Sequence, residues 1–292
     1  METFTGQKFI DRYAACPVCG DAALAHAYDI ALFSDAVRFD RCGRCGLVFQ
    51  NPRMTPEFIA HSYAATNYFG NKADTRQSAY TDYSNRDWLR LRQSRRRLDK
   101  IMVGAGIRGG RLLDIGCATG FFGKVAQDHG FAVKGVEPDP MVSEYGRTAY
   151  GLDIETATIE TATLQPGSYD VVTLWGTDSH FLSPCEGFQR IATALKPGGV
   201  LAMNYQAFDH WIRILFPGLK KGWNSMYNLT DKALDILFER VGLRTFSRTL
   251  EWQWVTSDHI TRLVKHPLPK FLGGIPLLAP AISFRYVLAR RA

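Results

Sequence analysis

Four cysteines in two close pairs are the clearest chemical signal in the sequence: Cys16 and Cys19 in CPVCG, then Cys42 and Cys45 in CGRCG. Two Cys-x-x-Cys turns separated by strand-like pieces such as AVRFDRC have the spacing of a zinc ribbon, whose four thiolates suit a tetrahedral Zn²⁺. The intervening loop is a little longer than the commonest ribbon. Four unrelated buried cysteines, or a redox pair, are the competing readings. A closed four-thiolate site leaves no position for substrate water, so the metal would be structural, and stripping it is expected to unfold residues up to about Arg53. Gly20 and Gly46 follow each pair and let backbone amides point at the thiolates. Cys117 and Cys185 lack a Cys-x-x-Cys partner or an adjacent His and read as small buried residues.

The second signal is LLDIGCATGFF, residues 112–122, a strand running into a glycine turn and then a helix. A P-loop would need Lys-Ser or Lys-Thr after the glycines, and none follows. Gly116, Ala118, Gly120 and Gly123 give G-x-A-x-G-x-x-G rather than a dinucleotide fingerprint. Asp114 stands two residues before the first Gly, where an acid sits poorly beside a pyrophosphate but well beside a cationic ligand. Glu137, at the end of the next strand, can accept both hydroxyls of a ribose, which alone would suit NAD equally well. Ala118 within the turn costs little if its φ is negative.

The elements that must hold these residues alternate. RLLDI, AVKGVE, SYDVVTLW and GVLAMNY read as strands, with GFFGKVAQDH, MVSEYGRTAY and CEGFQRIATALK as the helices between them. The pattern predicts a parallel, doubly wound α/β sheet with its ligand at the carboxyl ends of the strands. TDKALDILFERVG adds a helix capped by Thr230 and stopped by Gly242, and RTFSRTLEWQW and SFRYVLARR read as closing strands.

YDVVTLWGTDSHFLSP and ALKPGGVLAMN, following LLDIGCATG and VKGVEPD in that order, resemble class I methyltransferases that depend on S-adenosylmethionine (SAM), over roughly residues 85–250. The paired CxxC turns ahead of them are similar to a bacterial subgroup with an N-terminal zinc ribbon. The resemblance implies a Rossmann-like fold divided as a ribbon module over 1–55, a linker, lid and helical segment over 56–100, and a SAM-binding domain over 101–292. It places Asp114, Gly116, Ala118 and Gly120 at the methionine end, Glu137 on the ribose, Ile159 and Glu160 near adenine, and Leu174 and Trp175 beside the methionyl part. Asp139 is a weaker second ribose candidate, and Trp175 reads equally as core. His180 occupies the His of the family's frequent Glu-His pair and is the candidate base, although Ser179 replaces the Glu.

The implied activity is methyl transfer to a small molecule: a sugar, a quinone or a secondary metabolite, at O before C or N. The aromatic stretch from Tyr68 to Tyr83 would suit a lid over it. An rRNA or tRNA methyltransferase holding RNA with the ribbon and the basic run NRDWLRLRQSRRRLDK is the alternative, and a non-catalytic binding protein is a third. That run reads first as a solvated helix surface, since a net charge of +7 permits an anionic partner without requiring one. The opening METFTGQKFIDRY lacks the apolar stretch of a signal peptide, and prolines and glycines break LPKFLGGIPLLAPAISF below spanning length, so a cytoplasmic location is expected. The oligomeric state is not legible in the sequence.

Overall fold

The computed structural model describes residues 4–10, 12–65, 87–211, 225–256 and 276–292. Contacts divide the chain into two units, the first made of residues 1–85, 177–189 and 206–241, the second of 86–176, 190–205 and 242–292. These units cross the boundaries expected at 55 and 100, because two segments from the later half of the chain complete the N-terminal module.

The first unit is built on a four-stranded antiparallel sheet in the order β1 (Leu24–Leu32), β2 (Asp35–Cys42), β3 (Val48–Gln50) and β9 (Tyr227–Asn228). In β2, Val37 and Phe39 point inward on the period-two alternation expected of a half-buried strand, and Tyr28 stacks on Phe39 at 4.8 Å. Helix α1 (Pro56–Ala65) starts where the Thr55 hydroxyl accepts the Phe58 N–H, and it buries Phe58. A second helix of this unit (Asp231–Arg240, α6 below) is capped as expected by Thr230, whose Oγ1 accepts from Ala233 N at 3.0 Å.

The second unit carries a seven-stranded sheet in the order β10-β11-β8-β7-β4-β5-β6. Its strands are β4 (Gly110–Ile115), β5 (Phe131–Glu137), β6 (Asp153–Thr156), β7 (Tyr169–Trp175), β8 (Leu195–Gln206), β10 (Leu243–Thr256) and β11 (Pro276–Arg291). The pairs β4·β5, β5·β6, β4·β7 and β7·β8 are parallel, and β10 and β11 pair antiparallel. This is the doubly wound order, and the strand sequence reverses direction between β4 and β7, where such sheets place their ligands. Its helices are α2 (Asp87–Ala105), α3 (Phe121–Asp128) and α4 (Pro140–Tyr150), while α5 (Pro184–Ala194) begins in the first unit and ends in the second.

One core lies under α2 and α3, where Leu98, Ile101, Phe122 and Ala126 meet Leu112, Val171 and Tyr286. Short β6 was absent from the sequence reading. PLLAPAISF forms the first half of β11, whereas LPKFLGGI lies outside the described residues, as do Tyr68 and Tyr83. Among the described residues no helix is long and apolar enough to cross a membrane.

The basic run is a solvated surface only in part: Arg92 and Arg95 are exposed, while other members turn inward. On α2, Arg97 and Lys100 both reach the buried Glu251, at 3.0 and 3.9 Å, while Arg92 lies over Trp254 and Lys100 over Tyr286, 4.1 and 4.2 Å from the ring centroids. Their aliphatic stems cover apolar surface and their charges meet aromatic faces.

Candidate functional site

Strand β4 delivers its last residues into the crevice beside β7. Asp114 is 1% exposed there and opposes Thr173, whose hydroxyl donates to Oδ1 at 2.6 Å. Oδ2 is buried and has no hydrogen-bond partner among the described residues. Burial is the main cause that pushes this carboxyl up to about 7, against the opposing pull of the Thr173 hydrogen bond and the Arg97 charge.

After Ile115 the chain turns sharply, with Gly116 N and Cys117 N both donating to Val136 O of β5. Gly120 closes the turn at φ +86, and a Cβ there would lie 2.4 Å from Leu152, so space and dihedral both require glycine. Ala118 departs from expectation: its φ is +48, in the left-handed region, so the residue costs about 1 kcal/mol relative to glycine at this position. Its N–H donates to Glu137 Oε2 at 2.9 Å, which holds the turn in place. Cys117 is a packing residue, as expected, and its sulfur fills the space left by Gly135.

Glu137 ends β5, 4% exposed, with Oε1 accepting from Asp139 N at 3.1 Å. Burial again dominates and pushes it up to about 7, against those two backbone hydrogen bonds. Asp139 is already committed, since its Oδ1 caps α4 by accepting from Met141 N and Val142 N. Ile159 is buried and Glu160 half-buried on the loop after β6, which Ala157 N ties to Glu137 O at 3.2 Å. Leu174 is fully buried opposite Ile115. Trp175 packs between Phe122 at 5.0 Å and Tyr286 at 6.0 Å, which makes it largely a core residue at the strand end.

Arg97 was missed in the sequence because it is one of several arginines in a run. Its guanidinium lies 4.5 Å from the Trp175 ring centroid, is held by Glu251, and acts electrostatically on Asp114. A buried carboxyl with one unpartnered oxygen, a nearby cation and a second carboxylate on the neighbouring strand match the ammonium, carboxylate and ribose of SAM in charge and donor type. His180 sits on a single 3-10 turn (Asp178–His180) in the first unit, where the carbonyl of the adjacent Ser179 accepts from Met226 N at 2.7 Å.

The four cysteines come together. Their sulfurs all lie within 4.8 Å of one another, with Cys16–Cys45 at 3.6 Å and Cys19–Cys42 at 3.5 Å. Sulfurs about 2.3 Å from one tetrahedral ion would stand about 3.8 Å apart, so the donor set fits Zn²⁺, and the separations are far too long for disulfides. The Cys45 amide points at Cys42 Sγ at 3.5 Å. Hydrogen bonding between Cys16 and Cys45 lowers the Cys16 thiol to about 5 and raises the Cys45 thiol, and the thiolate is the form that ligates a metal. Both knuckles are fastened to later segments of the unit: Thr230 Oγ1 donates to Cys45 O at 2.6 Å, Arg240 donates to Val18 O, and Cys185 donates to Pro17 O at 3.2 Å.

A curated relative, the ubiquinone biosynthesis O-methyltransferase of Xanthomonas campestris pv. campestris, is 29% identical over 114 residues, covering 37% of this chain and 48% of that protein. The enzyme of the same description from Burkholderia orbicola is 34% identical over 109 residues, covering 35% and 47%. The chain thus spans about half the length of the curated relatives it matches. Among solved structures, Burkholderia thailandensis 1,6-didemethyltoxoflavin-N1-methyltransferase superposes with a TM-score of 0.53 at 12% identity, over 91% of this chain and 100% of that one. The YcgJ protein of Bacillus subtilis gives 0.50 at 14%, over 67% and 98%. These likenesses show the class I methyltransferase fold. A family model described as a methyltransferase domain matches residues 85–264, well over half of the chain, and the protein therefore belongs to that methyltransferase-domain family.

Proposed function

We propose that this protein transfers a methyl group from SAM to a small-molecule acceptor, a quinone, sugar or secondary metabolite, at oxygen in the first instance. The observation that carries the reading is the pair of buried carboxylates, Asp114 and Glu137, at the ends of adjacent parallel strands around a positive-φ turn. The ubiquinone and toxoflavin relatives support an acceptor of small-molecule size. SAM, when bound, supplies an activated methyl on a cationic sulfur, which an acceptor displaces in line. The chain's own residues then have limited tasks. Asp114 and Arg97 hold the two charged ends of the methionyl group, Glu137 orients the ribose, Ile159 and Glu160 border the adenine, and the packed Leu174 and Trp175 keep water out. His180 takes the acceptor's proton, and Zn²⁺ on the four cysteines is structural.

Glu137→Ala removes charge-assisted hydrogen bonds worth roughly 1.5 to 3 kcal/mol, so calorimetric titration should show SAM binding about ten- to a hundredfold weaker. Unchanged affinity in the variant, or tight NAD binding by the wild type, would overturn the cofactor assignment. His180→Ala should lower turnover about a hundredfold and leave SAM affinity near the wild-type value. An increase in acceptor KM alone would make His180 a positioning residue instead.

A further inference from the structure

Beside α2, on the side of the second unit formed by β10 and β11, lies an open groove of about 650 Å³ that shares no lining residue with the proposed cofactor site. Its rim is cationic. Arg92, Arg95, Arg96 and Lys100 line it with a single carboxylate, Asp99, which is already paired with Arg95 at 2.9 Å. Among the described residues no carboxylate pairs with Arg92 or Arg96, and the Arg96 Nε is buried without a hydrogen-bond partner. Lys100 is held below the ordinary lysine range, first by burial and then by the neighbouring Arg96 and Arg97 charges, with Glu251 opposing. Positive charge is therefore crowded here beyond what the described carboxylates neutralise.

The floor is of a different kind. Tyr286 is buried beneath Lys100 and the half-buried Trp254 carries the Arg92 guanidinium on its ring, so the open apolar surface is at the margin, where Val103 stands 82% exposed. The volume falls in the range of about 300 to 1,000 Å³ typical of small-molecule sites. Residues 92, 96, 99 and 103 follow helical spacing along one face of α2, whereas Arg97 lies over Trp175. A ligand matching these features carries two or more negative charges that guanidinium forks can grip and an apolar body that reaches the margin at Val103.

We propose that this groove is a second ligand site for an organic phosphate monoester with an apolar body, the phosphate held by Arg92 and Arg96 and the body lying against Val103 farther along the same face of α2. Guanidinium groups suit a phosphate dianion better than a neutral phenol, and neither feature of the ligand alone uses both halves of the groove.

The test is calorimetric titration of the whole protein with 1-naphthyl phosphate, with 1-naphthol and inorganic phosphate as single-feature controls. The phosphate ester should bind at least about tenfold more tightly than either control, and the affinity should fall with added salt. The double variant Arg92→Gln, Arg96→Gln should weaken the ester by about tenfold or more while S-adenosylhomocysteine binds both proteins equally, which shows that the variant is folded. Saturation with S-adenosylhomocysteine should leave the ester bound. Displacement by it would put the probe in the cofactor site and overturn the proposal. So would equal affinity for naphthol, indifference to the double variant, or binding confined to phosphatidylglycerol vesicles with none to the soluble ester. Failure of S-adenosylhomocysteine to bind at all would count against the proposed function and leave this titration readable.

Discussion

Removing zinc is expected to unfold the whole first unit, not only the residues before Arg53. Structural zinc contributes an apparent 10 to 16 kcal/mol in small finger domains, as much as the entire stability of a typical domain. The knuckle carbonyls of Val18 and Cys45 are anchored by Arg240 and Thr230, so loosening the knuckles removes the partners of α6 as well. Pairing of β3 with β9 then has only two residue pairs to sustain it. Hydrogen exchange on chelated and untreated protein should show protection lost from β1, β2, β3, β9 and α6 and kept in β4, β5 and β7, which have their own core. Loss confined to residues before 53 would contradict this, as would protein purified without chelator carrying less than half an equivalent of zinc.

SAM affinity should rise steeply with pH between 6 and 8. Asp114 and Glu137 both sit at about 7 when the site is open, and each must be ionised to hold an ammonium or a pair of hydroxyls. Below pH 7 each carboxylate that still carries its proton weakens binding by about tenfold per pH unit, so the two together approach a hundredfold. Calorimetry in buffers of different ionisation enthalpy should detect protons released on binding, and Glu137→Gln should release fewer. A dissociation constant that is flat from pH 6 to 8 would remove the linkage. Stability of the ligand-free protein moves the other way. Both carboxyls have folded-state pKa values raised above the unfolded ones, so between about pH 4 and 7 the native state binds more protons, and these two groups stabilise it as pH falls toward 4.

The cofactor half of the molecule was legible because its signals are local. The residues from Leu112 to Glu137 occupy one strand–turn–helix–strand unit, where an apolar run, fixed glycines and two acids at strand ends follow from the geometry of one crossover. What escaped depends on partners far along the chain. β6 is four residues long and is a strand because β5 is beside it, and β9 is two residues long and exists through β3. Arg97 differs from Arg95 only in which face of α2 it occupies, and Glu251, which selects it, arrives more than a hundred residues later. The positive φ of Ala118 is invisible in a residue type that ordinarily avoids it.

The three-segment construction of the first unit has a consequence for how the chain is made. The four cysteines and β1, β2 and β3 have all been synthesised by residue 50, but β9 and α6 follow only after most of the other sheet. At translation speeds of about 5 to 20 residues per second, the interval between β3 and β9 lasts roughly 10 to 40 seconds. During that time the nascent β3 presents an open strand edge, and the cysteine knuckles lack the helix that later clasps them. The ribosome-bound chain therefore passes through a stage in which its earliest module is its least finished one.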